Sequence, residues 1–169
     1  MNLEEVHHVQ QSLRTPRLRA FRASDLEALY QLDQVCFAPG VAYSKADLES
    51  YIRRRDVKIW VAEARGETEA ELPGFILVHC DRGKRGHIIT IDVAPAWRRR
   101  AVGTALMDEA ENWVRRRGGE FVLLETAERN LPAQMFYSRR GYLKLTRIED
   151  YYGDGAAAWL MVKPLQDAN

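Results

Sequence analysis

Cysteine is almost missing from these 169 residues: Cys36 and Cys80 are the only two. They are too few for a disulfide framework and lack the short spacing of zinc ligands, so both read as small, buried, reduced apolar residues. Histidine is nearly as scarce, and His7, His8, His79 and His87 have no spacing that suggests a metal site. All four are expected to be structural or surface residues, and no metal is expected. No stretch approaches the roughly 18 consecutive apolar residues of a membrane span, and the first residues carry no signal-peptide core, so a cytoplasmic protein without membrane contact is expected. Net charge is scarce too. The 25 basic and 24 acidic side chains leave a formal charge of +1, which exerts little long-range pull on nucleic acid or an anionic bilayer, and no direct nucleic-acid partner is expected.

What is present is ordinary for one globular domain: 46% hydrophobic and 29% charged residues in a chain too short for two independent cores. Residues 1–15 are polar and aperiodic and are expected to be a flexible lead-in, with a single domain over 16–165. Leu18 to Arg22 alternates like a half-buried strand. Ser24 then reads as the cap of a helix in which Leu26, Leu29, Tyr30, Leu32 and Asp33 recur at helical spacing, broken by Pro39-Gly40. Ser44 with Asp47 three residues later has the form of a capping box, opening a second helix that buries Leu48, Tyr51 and Ile52.

Lys58 to Ala64, Leu72 to Asp81 and Gly86 to Val93 are rich in Val, Ile, Phe and Trp and predict an antiparallel meander, with Glu67 to Glu71 as an acidic hairpin loop. After Gly103, helical spacing resumes through Ala105, Leu106, Ala110, Trp113 and Val114 until Gly118-Gly119. Phe121 to Leu124 then predicts a strand that joins the sheet by a parallel crossover. Leu131 to Arg140 predicts the fourth helix, and Tyr142 to Asp150 with Ala157 to Val162 a closing hairpin. Arginine gathers in three triplets, at 53–55, 98–100 and 115–117; the first and last close predicted helices, where they complement the helix dipole.

The segment Ile91 to Leu106 runs from an apolar strand through Pro95 and Arg98-Arg99-Arg100 into a helix opening. Amide N–H groups at a helix start are unpaired and the dipole adds partial positive charge, so the turn is suited to a pyrophosphate. It lacks the three glycines and later acidic residue of a dinucleotide fold, and it lacks the Gly-Lys-Ser/Thr of a Walker loop.

What it resembles is the acetyl-CoA loop of the GNAT N-acetyltransferase superfamily, Gln/Arg-x-x-Gly-x-Gly/Ala, which here reads Arg98-x-x-Ala101-x-Gly103. Leu124 to Asn130 followed by Ala133 to Tyr142 is similar to the family's second motif, and Ile148 to Lys163 resembles the C-terminal part of its ribosomal-protein alanine N-acetyltransferase branch. The resemblance implies an α/β (α+β) GNAT fold: a mixed, mostly antiparallel sheet of six to seven strands with about four helices on both faces. It implies acetyl-CoA as co-substrate. The backbone at Ile91, Asp92 and Val93 would pair with the pantetheine arm, and the loop of Arg98, Arg99, Arg100, Ala101, Val102, Gly103 and Thr104 would hold the pyrophosphate. Asn130 would bind pantetheine, cap the following helix, or do both. Where the family carries its first loop glycine stands Ala101, which is tolerated if φ is negative there and should then weaken cofactor binding at worst.

Acetyl transfer from a thioester to an amine needs a neutral amine, a polarised carbonyl and a proton for the departing sulfur. Glu125, twelve residues before Tyr137, has the spacing of base and acid in the branch it resembles. These two are therefore the expected catalytic pair. Tyr43, Tyr151 and Tyr152 are expected to line the acceptor side. An α-amine has a pKa near 8 against about 10.4 for lysine, so a single modest base suits a protein or peptide N-terminus, with ribosomal proteins among the candidate partners. The chain itself is expected to be a monomer or weak homodimer. Two other readings stay open: a small-molecule amine acetyltransferase of the polyamine or aminoglycoside type, and a non-catalytic acyl-CoA sensor.

Overall fold

A computed structural model describes residues 16–65, 70–82, 84–153 and 155–165. The lead-in expected over residues 1–15 lies outside the described residues, as do residues 66–69 of the acidic loop. Strand β3 already includes Glu71, so the loop is shorter at that end than its charge suggested.

The strands are β1 (Arg17–Ala20), β2 (Val57–Arg65), β3 (Ala70–Cys80), β4 (Arg85–Val93), β5 (Phe121–Ala127), β6 (Leu143–Ile148) and β7 (Ala158–Pro164). They form one sheet in the order β1-β2-β3-β4-β5-β7-β6. Every neighbouring pair is antiparallel except β4 and β5. The α-helices are α1 (Leu26–Cys36), α2 (Lys45–Ile52), α3 (Val102–Arg116) and α4 (Leu131–Arg139).

Local chemistry explains the helix starts. Ser44 accepts from the Asp47 amide and the Asp47 carboxylate accepts from the Ser44 amide, so the capping box forms as expected. The first helix departs from expectation. A 3-10 turn over Ala23–Asp25 precedes it, and Asp25, not Ser24, takes the cap position of α1; its carboxylate bonds no α1 amide but accepts the Arg22 amide at 2.7 Å, closing the turn. The reason lies in β1: the Arg19 guanidinium clamps both Asp25 oxygens, at 2.7 and 2.9 Å, and fixes that carboxylate in place.

Helices cover both faces. Leu29 of α1 packs with Ile59, Val61, Phe75 and Leu77 on one side, where Tyr51 and Ile52 of α2 join them. On the other side Leu106, Met107, Ala110 and Val114 of α3 and Tyr137 of α4 pack on Trp60, Ile76, Val78, Ile88, Val122 and Leu124. Gly74 lets α3 sit close to the sheet at its N-terminal end: a Cβ there would lie 2.6 Å from the Asp92 carbonyl oxygen and 3.3 Å from Val102 and Leu106.

Two irregularities open the sheet beside β4. The first is a bulge in β4, where Leu77 pairs with Thr90 and the next residue, Val78, pairs with Ile88, leaving Ile89 as the extra residue. Its consequence is a change of face: Ile88 packs under α3, Ile89 packs with the α1 cluster, and Ile91 and Val93 return to the α3 side. The second is a splay. β4 and β5 pair only from Arg85–Phe121 to His87–Leu123 and then part, leaving a wedge whose walls are the later halves of both strands.

Candidate active site

The wedge opens beneath the turn that the sequence singled out. The Ala94 amide donates to the Pro73 carbonyl at 2.9 Å, a 3-10 turn over Pro95–Trp97 follows, and the Arg98 Nε donates to the Val93 carbonyl at 3.1 Å. Arg98 thus fastens the loop to the end of β4, and the Arg100 guanidinium rests 5.4 Å from the centre of the Trp97 ring. Arg99 and Ala101 both adopt left-handed backbone, with φ of 61° and 60°. Helix α3 starts directly after Ala101 with no side-chain cap. The first amide after Ala101 that bonds back is that of Ala105, to the Ala101 carbonyl at 3.0 Å, so the amides of Val102, Gly103 and Thr104 have no intrahelical acceptor. Left-handed turns that line up successive N–H groups, running into an uncapped helix N-terminus, fit a diphosphate.

The expectation for Ala101 therefore needs correction. Its tolerance was made conditional on negative φ, and φ is positive. Alanine pays a steric penalty in this conformation that glycine does not. Ala101→Gly is expected to raise stability by roughly 0.5–1 kcal/mol, measured by urea unfolding without ligand. Unchanged or lower stability would mean that the backbone at 101 relaxes out of the left-handed region.

Asn130 caps α4 by accepting the Ala133 amide at 3.1 Å. Gln134 binds the carbonyls of Ala127 and Glu128 at 3.1 and 2.8 Å, which fixes the turn from β5 into α4. That turn sets Tyr137 relative to Glu125. Tyr137 is buried, edge-on to Phe136 and Tyr142. Among the described residues no hydrogen bond engages its hydroxyl, and burial, with Tyr152 and Asp92 nearby, pushes the phenol above its ordinary range.

Glu125 projects from β5 on the face opposite buried Leu124, and His87 Nε2 lies 2.6 Å from its Oε2. The Tyr151 and Tyr152 phenols lie close enough to Glu125 to feel its charge. Tyr151 and Tyr152 meet edge to face at 4.8 Å, and the Tyr43 ring meets Tyr51 at 5.8 Å while its hydroxyl donates to the Ile89 carbonyl at 3.5 Å. Burial pushes the phenols of Tyr43, Tyr151 and Tyr152 up, so all three remain neutral hydrogen-bonding groups. The structure thus gathers Glu125, Tyr43, Tyr151 and Tyr152 at one opening.

Sequence reasoning missed one member of this group, His87. His79, the cross-strand neighbour of His87, pairs with Asp56 at 2.8 Å, in keeping with a structural role. His87 instead pairs with Glu125 inside the wedge. The signal was available, because His87 precedes the strand's apolar run as Glu125 follows one, but the pairing of β4 with β5 is not written in either strand alone. Tyr51, read as core, packs on the α1 cluster as expected and also meets the Tyr43 ring. Among the described residues no three His, Cys, Asp or Glu side chains form a metal-sized group, and no helix is long and apolar enough to cross a membrane.

Residues 26–142 match the profile of the Acetyltransferase (GNAT) family. An N-alpha-acetyltransferase of Sulfurisphaera tokodaii is 26% identical over 161 residues, covering 88% of this chain and 93% of that protein. The fold is shared with the ribosomal-protein-S18-alanine N-acetyltransferase of Escherichia coli, at a TM-score of 0.79 and 22% identity over 91% of this chain and 96% of that one. It is shared too with Arabidopsis thaliana NAA60, solved with acetyl-CoA, at a TM-score of 0.79 and 23% identity over 89% and 99% of the two chains.

Proposed function

The chain belongs to the GNAT acetyltransferase family and is an acetyl-CoA-dependent N-acetyltransferase, and on that premise we propose that its acceptor is the N-terminal α-amine of a protein or peptide. The observation that carries this reading is the Glu125–His87 pair, 2.6 Å apart at a strand opening walled by Tyr43, Tyr151 and Tyr152. A carboxylate held by an imidazole is a modest base. It suits an α-amine, with a pKa near 8, better than a lysine near 10.4.

Glu125 takes the proton that the amine loses as its nitrogen bonds to the acetyl carbon and the carbon–sulfur bond breaks. Tyr137 donates a hydrogen bond to the departing sulfur. A phenol near 10 is already a weaker acid than a thiol near 8.5, and burial weakens Tyr137 further, so the sulfur departs as a thiolate steadied by this hydrogen bond and takes its proton from solvent. The main chain of Ile91, Asp92 and Val93 would align the pantetheine arm and polarise the thioester. The amides from Arg99 to Thr104 would hold the pyrophosphate, with Arg98 and Arg100 bracing the loop and Asn130 at the head of α4. Tyr43, Tyr151 and Tyr152 would grip the first peptide units of the acceptor, whose source is the cytoplasmic pool of new and ribosomal proteins. The relative in Sulfurisphaera tokodaii, named an N-alpha-acetyltransferase, supports this choice of amine.

A library of N-terminal peptides incubated with labelled acetyl-CoA tests the proposal. Alanine- and serine-initiated peptides are expected to take up label at the α-amine. Turnover of a polyamine or aminoglycoside with no turnover of any peptide would replace this reading with the small-molecule one.

A further inference from the structure

Behind the opening lie two acids that the chemistry above does not use. Asp33 of α1 and Asp92 of β4 are 0% and 1% exposed, and each is within hydrogen-bonding contact of the other. Asp33 Oδ2 accepts the Tyr43 amide at 2.7 Å, and Asp92 Oδ1 accepts the Thr90 hydroxyl at 2.6 Å. Their remaining oxygens, Asp33 Oδ1 and Asp92 Oδ2, have no partner when both groups are written as carboxylates. The bulge at Ile89 brings this about, because it turns Asp92 from the α3 face toward α1.

Resting on the proposed N-terminal acetylation, we infer that Asp33 and Asp92 share one proton, and that this shared proton positions the acceptor loop between α1 and α2 against the donor strand β4. Two adjacent carboxylates removed from water repel each other and lack solvation; a single proton between them removes one charge and supplies the missing bond. Among the described residues neither acid forms an ion pair with a cation. The groups that face them are Cys36 from α1, Tyr43 from the loop, Thr90 from β4 and Tyr137 from α4, all uncharged near neutrality, while β3 presents Phe75 opposite Asp92. The Arg98 guanidinium, beside Cys36, is engaged with the Val93 carbonyl. Desolvation accordingly raises the proton affinity of both acids, that of Asp92 most.

The pair links the two halves of the opening. Through Asp33 it holds the Tyr43 amide, and Gln34 adds a bond to the Tyr43 carbonyl at 2.9 Å. Through Asp92 it holds the strand whose main chain would meet the donor. Asp33 is therefore a positioning residue, acting on the acceptor through Tyr43.

Asp33→Asn and Asp33→Ala test this. The carboxamide can accept the Tyr43 amide and donate to Asp92 through a hydrogen that does not titrate; alanine can do neither. The folded-state pKa of the pair is raised above the unfolded value near 3.9, so its contribution to stability is full below about pH 4 and is lost as pH rises through the folded-state proton loss. Melting temperatures from about pH 5 to pH 9, measured without substrate, should show Asp33→Asn gaining on the wild type as pH rises. A gap that is constant with pH overturns the shared proton, since a purely structural role would give that result. In kinetics, Asp33→Ala should raise the peptide KM by about tenfold and move the acetyl-CoA KM by less than about twofold, with Asp33→Asn restoring the peptide KM. Equal loss in both KM values, or no rescue, overturns the positioning role. If the alanine variant fails to fold, the asparagine series still decides the proton. If the wild type acetylates no peptide, the functional reading has failed, and the melting series stands apart from that result.

Discussion

Glu125→Gln is expected to lower kcat for an α-amine peptide by about 10²–10³-fold while the melting temperature barely moves. The carboxamide has the same shape and its oxygen can still accept from His87, whose Nε2 lies 2.6 Å away, so the fold loses little. What disappears is the basicity of the carboxylate proposed to face the amine. Tyr137→Phe should behave in parallel. The hydroxyl has no hydrogen-bond partner among the described residues, so its removal leaves no buried group unsatisfied, yet a loss of about tenfold to a hundredfold in kcat is expected if it stabilises the departing sulfur. Steady-state kinetics with a single peptide, alongside thermal melts of both variants, separates these outcomes. If Glu125→Gln keeps more than about a tenth of the wild-type kcat, Glu125 is not the base, and attention passes to His87 acting alone or through water.

The features that sequence reasoning reached share one property: their cause lies within a few residues along the chain. The Ser44–Asp47 box, the apolar stripe of α3 and the uncapped start of α3 after the arginines are all of this kind. Motif spacing singled out Glu125 and Tyr137 as the expected catalytic pair; β5 carries the first and α4 the second. The misses come from contacts between distant segments. Strict alternation puts His87, Ile89, Ile91 and Val93 on one face of β4, whereas the bulge sends Ile89 to the α1 side and Ile91 and Val93 to the α3 side. No residue in that strand announces the extra step. The same inversion hid the meeting of Asp92 with Asp33, which are far apart in sequence. Asp25 displaced Ser24 as a cap because Arg19 on the neighbouring strand holds its carboxylate. Ala101 misled because its left-handed backbone is imposed by the loop's path between β4 and α3, against the preference of alanine itself.

The largest stability effect is expected at Glu111. This carboxylate is 2% exposed, on α3, and it holds three elements together. Oε1 accepts from Arg140 Nη2 at 3.0 Å and from the Tyr142 hydroxyl at 3.3 Å, while Oε2 accepts from Lys163 Nζ at 2.6 Å. Arg140 follows α4 and Lys163 lies on β7, so the side chain ties the helix that opens after Ala101 to the helix that carries Tyr137 and to the partner strand of β5. Removing one member of a buried ionic group leaves the others desolvated and unpaired, which costs about 3–5 kcal/mol. Glu111→Ala is therefore expected to lower the melting temperature by roughly 6–20 °C in a chain of this size. The control is Glu109→Ala on the same helix. Its ion pair with Arg116 joins side chains that are 35% and 60% exposed, so its loss should cost no more than about 1 kcal/mol. Equal effects at the two positions would show that water reaches the Glu111 site and that the ionic group is not sealed. If Glu111→Ala is as destabilising as expected, acetyl-CoA at saturating concentration should recover part of the loss, because a ligand held at the start of α3 stabilises only the folded arrangement that Glu111 otherwise maintains.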